Sequence, residues 1–298
     1  MSLTTATAPP AAPGPKGRRS RQARRSRLEP PNRWAGLLTI GWLIVVAVPL
    51  LVMISWSLQS RDAYLAEGPL APPRAITAEN LVTVFDSGFL QFFLNTAVVT
   101  VACVGLTLMV AVPAAYAIVR SPSRIVAAGF RGFLLGLAIP AQATIIPIYL
   151  MIARMGLYDT LGAIILPTTA FSLPLAVLVL ASALRDVPRE QYEAMTLDGA
   201  SSWRMMFSLV VPMSLGSVIT VGIYTALTAW NGFIFPLILT QSEDQRVLTL
   251  GLWSFQSEFG VNVPGLMTAV LLSALPVFVA YLFARRWLIA GLAGVGGK

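Results

Sequence analysis

Between two long apolar blocks the chain carries one polar run with an ordered pattern, RDVPREQYEAMTLDGASSWRMMFSLVVP, from Arg185 to Pro212. Its carboxylates, Glu193 and Asp198, sit near a predicted bend. Their chemistry is that of contact: a carboxylate there can pair with a basic group of another chain, or simply remain solvated. Catalysis has little to work with. The sequence has no histidine, the commonest acid–base group and metal ligand, and its one cysteine, Cys103, lies inside an apolar run. Ser–His and Cys–His pairs are therefore impossible, and acidic residues occur only in loops. The Gly-rich end GLAGVGGK lacks the spacing, the hydroxyl residue and the preceding strand of a phosphate loop.

A second set of residues suits a polar solute. Trp230 and Asn231 pair a ring face with an amide, which fits the C–H faces and hydroxyls of a sugar. Asn95, Thr96, Gln142 and Thr144 are polar positions inside otherwise apolar stretches and could line a pathway. Interhelical hydrogen bonding fits these residues as well, as does aromatic packing near the membrane interface for Trp230.

The polar run reads as two short helices. Pro188 suits the first helical position, where its missing N–H has no intrahelical partner. Arg189 to Thr196 forms the first helix, and Gly199 fits the position just beyond, where positive φ is cheap only without a Cβ. Ser201 can cap the second helix, with Trp203, Met206 and Phe207 expected on one face and Pro212 where it meets the membrane.

The elements that must hold this loop are membrane spans. Apolar residues make up 56% of the chain and charged residues 11%, against about 45–50% and about 25% in soluble domains. Six apolar blocks, about 34–56, 92–119, 132–152, 161–184, 213–239 and 266–284, contain no Asp, Glu, Lys or Arg. Each approaches the ~20 residues that cross a bilayer as a helix. Several contain proline, which membrane helices tolerate where neighbours re-satisfy the backbone. The expected fold class is an all-α membrane protein with six transmembrane helices.

Orientation follows from the basic residues. With the N-terminus inside, every Lys and Arg of the 21 faces the cytoplasm except Arg61, Arg74, Arg154 and Arg246. Both termini and the Glu193 loop are then cytoplasmic. Residues 1–33 are basic, rich in Pro, Ala, Ser and Arg, and read as a disordered tail that anchors on anionic lipid. A twin-arginine export signal is the alternative, though no apolar start follows Arg24–Arg25. Residues 34–287 form the expected transmembrane domain with a cytoplasmic loop at 185–212, and residues 288–298 a flexible tail. The outer loops at 57–91, 153–160 and 240–265 are too short for a catalytic domain, but the first and third are long enough to present a surface to an external partner.

The run EAMTLDGA with its following proline resembles the EAA loop of binding-protein-dependent ABC importer permeases. Glu193, Ala194, Gly199 and Pro212 occupy the matching positions, and Asp198 and Ala200 fit the sugar-importer variant. Met195 replaces an alanine and Val211 a leucine, both apolar exchanges. The resemblance continues through AIPAQATIIPIYLMIARMGLYDTLGAIILP, AWNGFIFPLILT and the C-terminal RRWLIAGLAGVGGK, similar to permeases of the maltose-transporter type, over roughly 91–298.

That resemblance implies a type I ABC importer permease-like bundle in a bacterial or archaeal inner membrane. It implies a homologous second permease, two copies of an ABC ATPase and an external substrate-binding protein as partners, and a sugar or oligosaccharide as substrate. ATP and Mg would be bound on the partner ATPase, with no cofactor on this chain and no nucleic-acid partner. The Ala194–Ala200 surface would seat in the ATPase, and Glu193 would meet a basic group there. The residues agree in one respect: carriers driven by protons or sodium usually keep ionisable groups within the membrane, and these spans have none. A carrier or facilitator working alone is the rival reading.

Overall fold

A computed structural model describes residues 33–69, 71–257 and 260–296; the basic N-terminal tail up to Asn32 and the final Lys298 lie outside the described residues. The contacts divide the chain into two units, one ending at Pro49 and one beginning at Leu50. The first contributes the N-terminal part of α1 (Arg33–Ser57), a helix apolar on every side.

In the second unit, α2 (Arg61–Glu67) and α3 (Glu79–Asp86) precede α4 (Phe89–Arg120). Next come α5 (Arg124–Leu134), α6 (Ile145–Arg154) and α7 (Leu161–Arg185). The polar run follows as α8 (Arg189–Leu197), α9 (Ser202–Met205), a π-helical turn over Met206–Val210, and α10 (Val211–Met213). Then come α11 (Leu215–Trp230), α12 (Ile234–Leu239), α13 (Leu248–Gly251) and α14 (Val263–Gly296). A two-residue antiparallel pair, Gln256–Ser257 with Gly260–Val261, is the β-structure among the described residues.

Four helices are long and apolar enough to cross a membrane unbroken, within α1, α4, α7 and α14. Two more spans are bent pairs, giving up to six. The first pair bends by 96° between Arg124–Ala138 and Ala141–Arg154. Pro140 explains the break: its ring drives the preceding Ile139 out of the helical region to φ −84°, ψ 114°. The second bends by 82° at Ser214, between Ser202–Met213 and Leu215–Trp230. Pro212 has no N–H to offer the carbonyl four residues back, the helix widens into the π turn just before it, and the Ser214 hydroxyl donates to the Val210 carbonyl. The apolar block at 213–239 is thus two helices, α11 and α12, separated by Asn231–Phe233. At the other end, α14 continues as helix to Gly296, where the sequence suggested a flexible tail from 288.

The core forms where α4 and α7 pack. Ala111, Val112 and Ala115 meet Ala176, Val177, Leu180, Ala181 and Leu184, small residues letting the two backbones approach closely. The same cluster takes in Val187, Tyr192, Met205, Met206, Val210 and Val221. Toward the other end of α4, Val99 and Cys103 pack with Ile164, Ala229, Val247 and Leu250, and Phe92 packs with Phe89, Val84, Leu248 and Ala269. Gly251 is required there: a Cβ would stand 2.2 Å from the Phe92 ring.

Candidate functional site

The polar run folds as a helix–turn–helix held from beneath. Helix α8 begins after Pro188, which precedes the helix rather than forming its first residue, and ends at Leu197. Gly199 follows with φ +71°, and the Ala200 and Gly199 N–H groups donate to the Met195 and Thr196 carbonyls at 3.0 and 3.1 Å. The left-handed residue closes the helix as its glycine suggests. A Cβ at Gly199 would meet nothing within 4 Å, so the glycine answers to backbone conformation and not to crowding. The Ser201 hydroxyl accepts from the Arg204 N–H at 3.3 Å and caps α9.

Three inward residues anchor this hairpin. Tyr192 is 3% exposed, and Met205 and Met206 are also buried in the α4–α7 core. The Tyr116 hydroxyl contacts the Met205 sulfur at 3.9 Å. The Arg120 guanidinium lies over the Tyr192 ring, 4.7 Å from its centroid. Burial raises the Tyr192 phenol pKa, with the Arg120 charge opposing that shift.

The outer surface is different. Glu193, Ala194, Asp198 and Gly199 are exposed, and Met195 and Ala200 are half-buried against the core. Leu197, Trp203 and Phe207 are 89%, 64% and 61% exposed, and the two rings stack with centroids 6.0 Å apart. Met206 does not share their face, because it turns inward with Met205 where the helix widens into the π turn. Glu193 pairs with Arg189 at 3.1 Å, one turn earlier on the same helix. Pro212 is exposed in α10, just before the bend at Ser214.

The polar residues of the spans do not converge on one place. Asn95 is buried, donating to the Asp244 and Arg246 carbonyls at 2.7 and 2.8 Å and accepting from Gln91 at 3.1 Å. The Thr96 hydroxyl accepts from the Leu248 N–H at 2.8 Å. Both tether the 243–248 segment to α4. Gln142 is exposed and Thr144 donates to the Ala141 carbonyl at 2.7 Å, both just after the break at Pro140.

Trp230 and Asn231 do lie together, in a cavity of ≈ 790 Å³ between α4, α11, α13 and α14. Trp230 donates to the Ser273 carbonyl at 3.1 Å and meets Phe93 edge to face. Asn231 donates to the Leu227 carbonyl at 2.8 Å. The walls are mostly apolar, with Thr100, Thr249, Ser273 and Tyr281 adding hydroxyls, the composition of a small-molecule pocket. Sequence reasoning missed these four; Thr100 was within reach, one helical turn after Thr96.

At the start of α7, the end opposite the hairpin, Asp159 fastens two loops. It adopts φ +62°, its N–H donates to the Leu239 carbonyl at 2.9 Å, and its carboxylate accepts from the Gln241 and Ser242 N–H groups at 2.8 and 2.9 Å. The Ser242 hydroxyl donates as well. These bonds favour the ionised form and lower the Asp159 pKa, with the Gln241 N–H contributing most. No group of three or more metal-ligating side chains occurs among the described residues.

Comparison with known proteins follows the same lines. The family described as "Binding-protein-dependent transport system inner membrane component" matches residues 104–293. A chain of Caldicellulosiruptor sp. (strain Rt8B.4), named for an ABC transporter permease protein (ORF2), is 33% identical over 267 residues, spanning 90% of this chain and 97% of that one. The diacetylchitobiose uptake system permease protein NgcG of Streptomyces coelicolor is 30% identical over 286 residues, 91% of each chain. Among solved structures, a bacterial ABC transporter involved in the import of the acidic polysaccharide alginate superposes with a TM-score of 0.73 at 19% identity, covering 86% of this chain and 97% of that one.

Proposed function

The chain belongs to the family of binding-protein-dependent transport system inner membrane components, and on that premise we propose that it is the permease of an ATP-driven importer for a sugar or oligosaccharide. It is a multi-pass membrane protein and a transport permease rather than an enzyme. The sugar class is supported by the diacetylchitobiose system of one relative and the alginate importer whose fold it shares.

The observation that carries the mechanism is the two-sided hairpin of α8 and α9. Its inner side is locked into the α4–α7 core by Tyr192, Met205 and Met206, while Ala194, Leu197, Trp203 and Phe207 face outward. An exposed apolar surface on a rigid mount suits a protein partner. In the proposed assembly that partner is a separate ATPase, which binds the ATP and Mg; this chain holds no cofactor. Two ATPase copies, a homologous second permease and an external substrate-binding protein complete the importer, in the inner membrane of a bacterial or archaeal cell.

The N- and C-termini and the hairpin then face the cytoplasm. Closure of the ATPase would push on α8 and, through Tyr192 and Met205, shift α4 and α7 as packed bodies. Glu193, Met195, Asp198, Gly199, Ala200 and Pro212 form or support the contact, with Glu193 exchanging Arg189 for a basic group of the partner. Trp230 and Asn231 border the solute path, and Asn95, Gln142 and Thr144 are its further candidate positions, Asn95 also tethering the 243–248 segment to α4.

Reconstitution tests the reading. The chain alone in liposomes is expected to move no sugar, and uptake to appear only with the second permease, the ATPase, the binding protein and ATP. Solute flux through this chain alone would overturn it and restore the carrier reading, for which the family gives no support.

A further inference from the structure

We propose that the pocket where α4, α7 and α8 meet binds a phosphate-bearing anion, supplied in the membrane by the phosphodiester headgroup of an anionic lipid. The pocket, of ≈ 340 Å³, is lined by Arg120 and Ser121 at the end of α4, Arg185 at the end of α7, and Arg189 and Tyr192 of α8. No acidic residue is among its lining. Arg189 shares its charge with Glu193, but neither Arg120 nor Arg185 forms an ion pair among the described residues. Three guanidinium groups round one pocket repel each other, and an anion between them reverses the sign of that interaction.

The second observation is geometric: the Tyr192 ring forms one wall of the pocket and holds the Arg120 guanidinium 4.7 Å from its centroid. Against binding stand the carbonyl ends of α4 and α7, each equivalent to roughly half a negative charge. The first turn of α8 offsets about half of that total, and the charges of Arg120 and Arg185, which Glu193 does not neutralise, outweigh the remainder.

Depth selects the source. Arg120 and Arg185 are the last residues of two apolar helices that cross the membrane, so the pocket sits where hydrocarbon gives way to headgroups. Basic pockets between spans on the cytoplasmic side suit such lipids. Its facing the cytoplasm rests on the orientation proposed above, but lipid retention and ATP-driven uptake are separate readouts, so either can fail alone. A lipid bound there would brace α8 against α4 and α7 and make coupling sensitive to the anionic lipid of the inner leaflet.

Native mass spectrometry of the purified full chain tests this, with phosphatidylglycerol, neutral phosphatidylcholine and inorganic phosphate as probes. One phosphatidylglycerol per chain is expected at concentrations where phosphatidylcholine does not bind. Arg120→Gln and Arg185→Gln should each weaken it about tenfold, the scale of one lost charge-assisted hydrogen bond. Tyr192→Phe, which keeps the ring under Arg120, should leave binding unchanged. Arg131→Gln, on exposed α5 outside the pocket, should change nothing. Displacement by inorganic phosphate at equal concentration would retain the site and assign it to free phosphate. Equal retention of the two lipids, or equal losses in Arg131→Gln and Arg185→Gln, would overturn the proposal. So would lipid that is always lost when the ATPase binds, which would give the arginines to a protein carboxylate.

Discussion

The Arg120 guanidinium at the end of α4 lies 4.7 Å above the ring of Tyr192 in α8. This contact joins a membrane-crossing helix to the α8–α9 hairpin, two segments distant in sequence. Tyr192 also fills the core formed by α4 and α7, so one side chain fixes how the hairpin stands on its support.

Replacing Tyr192 with alanine is therefore expected to cost about 3–5 kcal/mol, the scale for removing a large buried aromatic. A lower thermal midpoint of the purified protein, with ATP hydrolysis no longer driving uptake in the reconstituted importer, is the expected pair of results. An unchanged midpoint would show that the ring is not an anchor.

Gly199→Trp and Glu193→Lys act on the opposite face. An added side chain at Gly199 meets open space, and the exposed Arg189–Glu193 pair stabilises little. The glycine exchange costs about 1–2 kcal/mol for its positive φ. Both variants should insert normally yet lose most uptake while the ATPase still turns over. A cysteine at position 194 should cross-link to the ATPase against a background of one buried thiol, Cys103. Normal uptake in both variants would remove the coupling role.

Asp159 gives a pH dependence. Its folded pKa is lowered by the Gln241 and Ser242 donors, so its stabilising effect is present above the ordinary carboxylate pKa of about 3.9. It is lost as pH falls through the lower folded value. Asp159→Asn should flatten stability against pH in that acid window and loosen the 240–245 loop, as amide exchange at Gln241 and Ser242 would report. An unaltered profile would count against the clamp.

Gly251→Ala tests the packing beneath Phe92. The new Cβ would stand 2.2 Å from a buried ring, an overpacking expected to cost about 1–3 kcal/mol. The companion Phe92→Leu, Gly251→Ala double variant should recover part of that loss in the same thermal assay. No recovery would mean that the clash is relieved elsewhere.

Much of the α8–α9 hairpin was legible from local rules. Ser201 and Gly199 act through their own backbone neighbourhood, so their capping roles follow from residue type and spacing. Met206 could not be placed this way, because its inward turn depends on the π-helical step before Pro212 and on the core waiting beneath. The polar span residues differ for the same reason: an amide within an apolar helix announces a partner without naming it. Asn95 found loop carbonyls some 150 positions away in sequence, whereas Asn231 found a cavity.

Hydropathy, helix caps and charge act over a few residues at a time, so an apolar helical chain with one ordered polar loop can be read from the residues alone. Which side of that loop is anchored and which is offered, where two spans break, and that arginines from three helices share one pocket with Tyr192 emerge only in the folded chain. Those outcomes depend on contacts between distant segments, set by shape and close packing, and no local spacing encodes them.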